Sequence, residues 1–334
     1  MRPSVSILLP VRNEETHLPA ALASLLRQTR RDWELIAVDD GSSDATPELL
    51  ETAASTDPRI RVTTLPPGGL VAALNRGLEL CRAPLVARMD GDDICHPRRL
   101  ELQLGYLERH PEVDLLGSRV RHFPRPDLQD GMRAYESWQN ELLIHEQILV
   151  NLFVESPFAH PSVMFRTRKI RDLGGYHERA WAEDYDLWLR LAETGGRFAR
   201  LPQTLLYWRD RPERLTRTAS NCSLDAFRRC KTHFLRRSYL KQRNSVWIWG
   251  AGMEGKLWRK VLHTEGIAVA GWIDIDPKKI GQTIHHSPVI APNEIRRPSE
   301  PILVCVGARG ARQLIRDFCD GRKLKEGKDY LCVT

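Results

Sequence analysis

The chain has 334 residues, a formal net charge of +7, 42% hydrophobic residues and seven cysteines. That length and apolar content suffice for two cores, and no stretch approaches the roughly 20 apolar residues of a membrane span. The amino terminus runs into a strand without a signal-peptide pattern, and the cysteines show no CxxC spacing. Neither zinc nor a disulfide framework is therefore expected, and the thiols read as reduced in a cytoplasmic protein.

Residues 4–9 (SVSILL) predict a buried strand. Pro10 and a polar turn through Glu14 follow, then a helix with Leu18, Leu22, Leu25 and Leu26 on one face. WELIAV at 33–38 predicts a second buried strand that ends in DDGSSD. Asp39 and Asp40 thus lie at a strand's carboxyl end, with Ser42, Ser43 or Asp44 available to cap the next helix. PLVA at 84–87 predicts a third strand and leads into ARMDGDD at 87–93, which sets Asp90, Asp92 and Asp93 within four positions. Carboxylates at the carboxyl ends of parallel strands lie where open α/β sheets bind ligands. A hard divalent ion with oxygen ligands, Mg²⁺ or Mn²⁺, would neutralise the cluster and leave positions for a diphosphate, whereas an ordinary acidic loop would need none. Two acidic strand ends on one sheet edge make a nucleotide site, with a carboxylate facing base or ribose and a metal facing phosphate.

Further along, HPSVMFR at 160–166 predicts a turn leading into a strand. His160 suits a structural role there as well as it suits the acceptor side of a site. In WAEDYDLWLRL, Tyr185, Trp188, Leu189 and Ala192 share the apolar face of a helix whose first turn holds Asp184. The helix macrodipole favours an ionised carboxylate at that position, one able to accept a proton. Capping by Glu183 and Asp184 is compatible with such a role. After the strand LLYW at 205–208 come Arg209, Arg211 and Arg214, of which Arg209 is the first choice for a bidentate diphosphate contact.

Taken in order, SILLPVRNE, AVDDGSSD, GGLVAALNRGL, ARMDGDD, HPSVMFR and GGYHERAWAEDYDLWLRL, spread over residues 4–218, resemble the family 2 glycosyltransferases of GT-A fold. These are nucleotide-sugar transferases built on one mixed α/β sheet. The resemblance implies that Asp40 contacts the base with support from Asp39, that Asp90 lies near the ribose, and that Asp92 reaches a Mn²⁺ or Mg²⁺ ion with Asp93 as a further member. Pro10 and Glu14 would flank the nucleotide cleft, although a proline there also serves simply to end a strand. Asp184 is similar to the general base that deprotonates an acceptor hydroxyl during direct, inverting displacement of a nucleoside diphosphate. A nucleoside-diphosphate sugar donor, a saccharide or lipid-linked acceptor and a place in surface-polysaccharide assembly are implied in the same way, with the acceptor pocket expected in 119–159.

The segment 228–243 (RRCKTHFLRRSYLKQR) holds seven cations and no acid. It reads as a basic helical linker spanning 219–243, either solvated or in peripheral contact with an anionic membrane surface; it carries no nucleic-acid motif. Beyond it, SVWIWGAGMEG at 245–255 predicts a strand and a glycine turn, VAGWID ends at Asp274, and PILVCVGARG at 301–310 gives a third strand and a second glycine turn. Residues 244–334 thus predict a small Rossmann-like domain, half of a doubly wound fold. Gly250, Gly252, Gly255 and Asp274 are its possible ligand site, for NAD(P) or another nucleotide. The glycines serve turn and packing needs equally well. An NAD(P)-dependent oxidoreductase or ligand-sensing protein acting through this half is the alternative function, although no Tyr-x-x-x-Lys pair or His/Asp dyad accompanies it. A catalytically silent binding protein would be expected to lack Asp92 or Asp184.

Overall fold

Short apolar runs bounded by polar turns build a mixed eight-stranded sheet from the first two thirds of the chain. In the computed structural model, which describes residues 2–126, 128–212, 214, 219–295 and 300–334, the strands are β1 (Val5–Val11), β2 (Trp33–Asp39), β3 (Ile60–Thr64), β4 (Leu85–Arg88), β5 (Ile94–Cys95), β6 (Leu115–Phe123), β7 (Met164–Arg166) and β8 (Phe198–Arg209). Their order is β3-β2-β1-β4-β7-β6-β8-β5. β1 runs parallel to β2 and β4, β7 is antiparallel to β4 and β6, and β6 and β8 are parallel. The central strands are mostly apolar, as buried strands of a covered sheet are, and every residue of β1, β2 and β4 is buried, Ser6, Glu34, Asp39 and Arg88 included.

The helices are α1 (Leu18–Leu26), α2 (Thr46–Thr56), α3 (Leu70–Leu80), α4 (Arg99–Arg109), α5 (Asp130–Glu141), α6 (His145–Asn151), α7 (Thr167–Asp172) and α8 (Glu183–Glu193). Leu18, Leu22 and Leu25 face the core as expected, but Leu26 is turned outward. Helix α3 approaches the sheet so closely that a Cβ on Gly77 would lie 2.1 Å from Leu8 Cδ1. Pairing of β1 with β4 ends at Leu8 and Arg88, so Pro10 sits past the last rung on that side, where its missing N–H breaks no ladder bond. The helical pattern at 137–153 is split in two, since the buried Arg200 guanidinium takes the carbonyls of Gln139 and Leu142 and ends α5 there.

The chain divides into two compact units. The first spans Met1–Ile148, Pro157–Arg179 and Glu183–Thr218, and the second spans Leu149–Ser156, Ala180–Ala182 and Ala219–Thr334. In the second, α9 (Leu224–Arg237), β9 (Ser245–Trp249), α10 (Met253–Thr264), β10 (Ala268–Ile273), β11 (Thr283–Ile284), β12 (Ser287–Ile290), β13 (Ile302–Val304), α11 (Ala311–Gly321) and β14 (Tyr330–Cys332) follow one another. The sheet order is β11-β12-β10-β9-β13-β14, in which every pairing except β11 with β12 is parallel. This exceeds the half-fold expected from sequence, because β12 and β14 are too short to show a pattern.

The segment 219–243 is part of that second unit and not a bare linker. In α9, Cys230, Lys231, Phe234 and Leu235 are buried, Lys231 Nζ donates to the carbonyls of Val154 (2.7 Å) and Val333 (3.1 Å), and Arg228 pairs with Glu254 at 2.9 Å. Two of the seven cations are thereby buried, while Arg229, Arg237, Lys241 and Arg243 stay exposed. Among the described residues no helix is long and apolar enough to cross a membrane. The seven cysteines are free.

The second unit's glycines have structural work. Gly250 has φ +111°, and a Cβ on Gly255 would lie 1.9 Å from the Gly250 carbonyl oxygen, so loop and helix touch through backbone alone. Asp274 accepts from Ala251 N at 2.9 Å and from Lys279 Nζ at 3.0 Å, which fastens the glycine loop to the end of β10.

Candidate active site

The parallel strands of the first unit end on one edge and bring their acidic residues together there. One carboxylate oxygen each of Asp90, Asp92 and Asp93, on the loop after β4, lies within 4.8 Å of the other two. Asp93 is fully buried; its Oδ1 accepts from Arg209 N at 2.7 Å and its Oδ2 has no partner. Asp92 Oδ2 is 3.1 Å from Arg211 Nε, and the same guanidinium pairs with Glu14. Asp90 pairs with Arg88, a residue only 2% exposed.

Burial and mutual repulsion push these acids toward their neutral forms. Asp93 is raised well above the carboxylate range by burial and by Asp90 and Asp92, and Asp92 is raised by burial and by Asp90. Glu14 is pushed up to about 7 by burial, with Arg211 opposing and Asp92 and Asp90 adding to the rise. Crowded hard oxygens, one of them buried without a partner, suit a divalent cation. The donor set therefore fits Mn²⁺ or Mg²⁺ with Asp92 as ligand.

The neighbouring strand ends are arranged differently from expectation. Asp39 accepts from the Ser42 amide and hydroxyl and closes its own turn. Asp40, expected to face a base, is 4% exposed and accepts from the amides of Gly68 (2.7 Å) and Gly69 (3.0 Å), with Arg12 3.5 Å away. It thus anchors the glycine loop that precedes α3. Arg209 donates through Nε to the Asp92 carbonyl and lies over the Phe123 ring, so the cation that meets the carboxylates is Arg211. Arg214 lies over the Trp208 ring.

A second acidic group starts α8. Asp184 Oδ1 accepts from Tyr185 N at 2.6 Å. Asp184 keeps some exposed surface yet is surrounded by protein, and burial, then the neighbouring Glu183 charge, pushes its carboxyl up to about 8. Glu183 goes the other way: burial raises it, but the contact with His160 outweighs that and leaves it below its ordinary value. His160 is held neutral by burial and by the Arg88 charge. Its Nδ1 lies 3.4 Å from Glu183 and its Nε2 3.0 Å from the Tyr176 hydroxyl, so the tautomer serving both donates from Nδ1 and accepts at Nε2. Asn75, on α3, exchanges two 2.8 Å hydrogen bonds with the Tyr176 backbone. His160, read as structural or acceptor-lining, thus supports the carboxylate pair. Sequence reasoning passed over Arg88, Tyr176 and Asn75; the signal for Arg88 was a charged residue ending an otherwise apolar strand.

A mixed sheet with a carboxylate triad after one central strand and an acidic helix start beside it defines a nucleotide-sugar transferase of the GT-A class. The sequence model described as Glycosyl transferase family 2 matches residues 6–174, and the chain belongs to that family. It is 36% identical to an amylovoran biosynthesis glycosyltransferase of Erwinia amylovora over 204 residues, 60% of this chain and 74% of the relative. With the Escherichia coli UDP-Gal:alpha-D-GlcNAc-diphosphoundecaprenol beta-1,3-galactosyltransferase it shares 29% identity over 246 residues, 73% of this chain and 86% of that one. The mannosyltransferase PcManGT of Pyrobaculum calidifontis, solved with GDP-Man and Mn²⁺, superposes with a TM-score of 0.51 at 20% identity over 80% of this chain and 70% of that one. The protein is accordingly a glycosyltransferase with a second α/β unit.

Proposed function

We propose that the chain is a metal-dependent, inverting glycosyltransferase that moves a sugar from a nucleoside-diphosphate donor to an acceptor hydroxyl in surface-polysaccharide or glycoconjugate assembly. The observation that carries this reading is the Asp90, Asp92 and Asp93 triad on the sheet edge of a family 2 chain. The names of the E. coli and E. amylovora relatives support the acceptor class, a saccharide or lipid-linked saccharide, and the GDP-Man and Mn²⁺ complex supports donor and metal. The exposed cations of α9 and the turn after it suit a cytoplasmic protein working beside an anionic membrane surface.

In this reading Asp184 takes the proton of the acceptor hydroxyl as that oxygen attacks the anomeric carbon. The bond from that carbon to the diphosphate oxygen breaks, and its electron pair departs with the nucleoside diphosphate. Attack opposite the leaving group inverts the anomeric centre without a sugar bound covalently to the protein. Asp92 would hold a Mn²⁺ or Mg²⁺ ion, which when bound would supply Lewis-acid neutralisation of the departing diphosphate. Arg211, already among these carboxylates, adds a permanent charge on the same side. Asp39 and Asp40 shape the nucleotide wall through their turns, with Pro10, Glu14, Asp90 and Arg209 around it.

The test is a screen of UDP- and GDP-sugars with and without Mn²⁺ or Mg²⁺, read by thermal shift and by released nucleoside diphosphate. Metal-dependent stabilisation and hydrolysis with at least one donor is the expected result. Stabilisation by NAD(P) alone would instead move the function to the second unit.

A further inference from the structure

We propose that Asn75 is a positioning residue for the proton-accepting end of the site: by taking both main-chain groups of Tyr176, it joins α3, which opens on the donor side, to the His160–Glu183 contact beside Asp184. The inference rests on the reading of Asp184 as the base.

The loop that Asn75 holds cannot fix itself. Gly174 and Gly175 both take left-handed φ, +82° and +70°, and glycines give a turn freedom as well as shape. A Cβ on Gly175 would lie 2.5 Å from Asn75 Oδ1, so the side-chain amide fits against bare backbone. There Asn75 Nδ2 donates to the Tyr176 carbonyl and its Oδ1 accepts from the Tyr176 N–H, each at 2.8 Å. An amide that answers one residue's N–H and C=O together fixes that residue's orientation, as a paired strand would. From the other side, Arg190 of α8 donates to the carbonyls of Leu173 (2.9 Å) and Gly175 (2.8 Å) and is itself held by Asp186 at 2.6 Å. The loop is therefore braced between α3 and α8.

Both ends of that brace matter to the proposed reaction. Gly68 and Gly69, which precede α3, give their amides to Asp40, so the helix is pinned to the wall proposed for the nucleotide. At the far end the Tyr176 side chain is buried. Its hydroxyl meets His160 Nε2 at 3.0 Å, while Nδ1 of the same ring lies 3.4 Å from Glu183. The imidazole is further confined edge-on against Trp188 of α8, with ring centroids 5.8 Å apart. The backbone bonds to Tyr176 set where its hydroxyl stands, and the hydroxyl sets which imidazole nitrogen accepts. The other nitrogen then presents its proton to Glu183, next to Asp184. Asn75 thus acts on the base through Tyr176 and His160.

The experiment compares Asn75→Ala, Tyr176→Phe and the variant carrying both, each in the full chain, by steady-state kinetics and by ¹⁵N NMR of the labelled histidine rings. His160 is assigned from His160→Gln. Wild type should show His160 protonated on Nδ1 and accepting at Nε2. Asn75→Ala and Tyr176→Phe should each move the two ring shifts toward one another as the tautomers mix. Each should also lower kcat by about 10- to 100-fold while donor KM changes less than about threefold. The double variant should lose no more than the worse single one, because both changes act through one hydroxyl. A purely structural Asn75 predicts instead a lower melting temperature, with wild-type kcat and ring shifts below it. That outcome, or additive losses in the double variant, would overturn the proposal. Should Asn75→Ala fail to fold, Tyr176→Phe, which keeps both backbone bonds, still decides: unchanged ring shifts and kcat overturn it. Turnover of Asp184→Asn, measured separately, decides the base assignment, and the ring shifts report on Asn75 whatever that result.

Discussion

Asp184 is an acid whose neutral form the fold favours, and this fixes the sign of two measurements. Its carboxyl sits at about 8, above the ordinary 3.8. A raised acid contributes stability that is complete below the unfolded value and is lost as pH climbs through the folded one. Asp184→Asn imitates the neutral acid at every pH. Its melting temperature should therefore gain on wild type between about pH 4 and pH 8, by about 3 °C or more at the upper end. If Asp184 is the base, the same titration should make kcat/KM rise with pH toward a plateau above about pH 8. Asp184→Asn should cut turnover by about 10²- to 10⁴-fold while metal-dependent nucleotide binding changes little. Nucleotide affinity falling in step with turnover would make Asp184 a binding residue. Asp92→Asn should behave in the opposite way. It relieves repulsion among crowded carboxylates, so the metal-free protein should melt no lower than wild type, while the rise in melting temperature on adding Mn²⁺ with nucleotide should vanish. A retained Mn²⁺ response would remove Asp92 from the metal site. The acidic loop after β4 and the acidic first turn of α8 stood out as candidates because each adjoins an element with a strong pattern. Arg211 was harder to choose over Arg209, since both follow the same strand and only the backbone path decides which guanidinium reaches Glu14 and Asp92.

Strands β1, β2 and β4 could be read directly, being continuous apolar runs closed by acidic turns. The short strands β12 and β14, of four and three residues, offered too few positions for alternation to show. The break between α5 and α6 was invisible for another reason: Arg200, which ends α5, lies far along the chain and acts only through tertiary contact. Glycines separate packing from ligand binding as explanations for the second unit's loop. A methyl group on Gly255 would meet a backbone oxygen, which cannot move aside like a side chain. Gly255→Ala should therefore destabilise the second unit by about 1–3 kcal/mol in denaturant unfolding. Metal-dependent donor binding by the first unit should be unaffected. Gly252→Ala, where nothing lies within 4 Å, should be nearly neutral for stability. A large loss of stability there would mean that the loop's constraint is conformational and not a matter of space.

Separating the two units depends on where the chain is cut. The transferase motifs lie within residues 4–218, and the sequence reads 219–243 as a basic linker to the second half. Trp258 and Trp272 lie inside the second unit's own core. Helix α9 joins that core as well, since Leu235, with Leu240 just past the helix, packs with Ile248, Leu262 and Leu303. A chain ending at Tyr239 would keep α9 but lose the sheet beneath it. Cys230, Phe234 and Leu235 would be exposed, and Lys231 would lose one of its two carbonyl acceptors, that of Val333. Such a truncation should still bind Mn²⁺ and nucleoside diphosphate, because the Asp90, Asp92 and Asp93 triad is built within the first unit. It should also aggregate at concentrations where the full chain stays monodisperse. Adding Phe234→Lys and Leu235→Gln to the truncated chain should reduce the aggregation without changing affinity. Calorimetry at matched metal concentration, with light scattering on the same samples, reads both quantities. A soluble, folded truncation that bound no nucleotide would mean that the second unit completes the donor site, and the assignment of donor binding to the first unit would have to be abandoned.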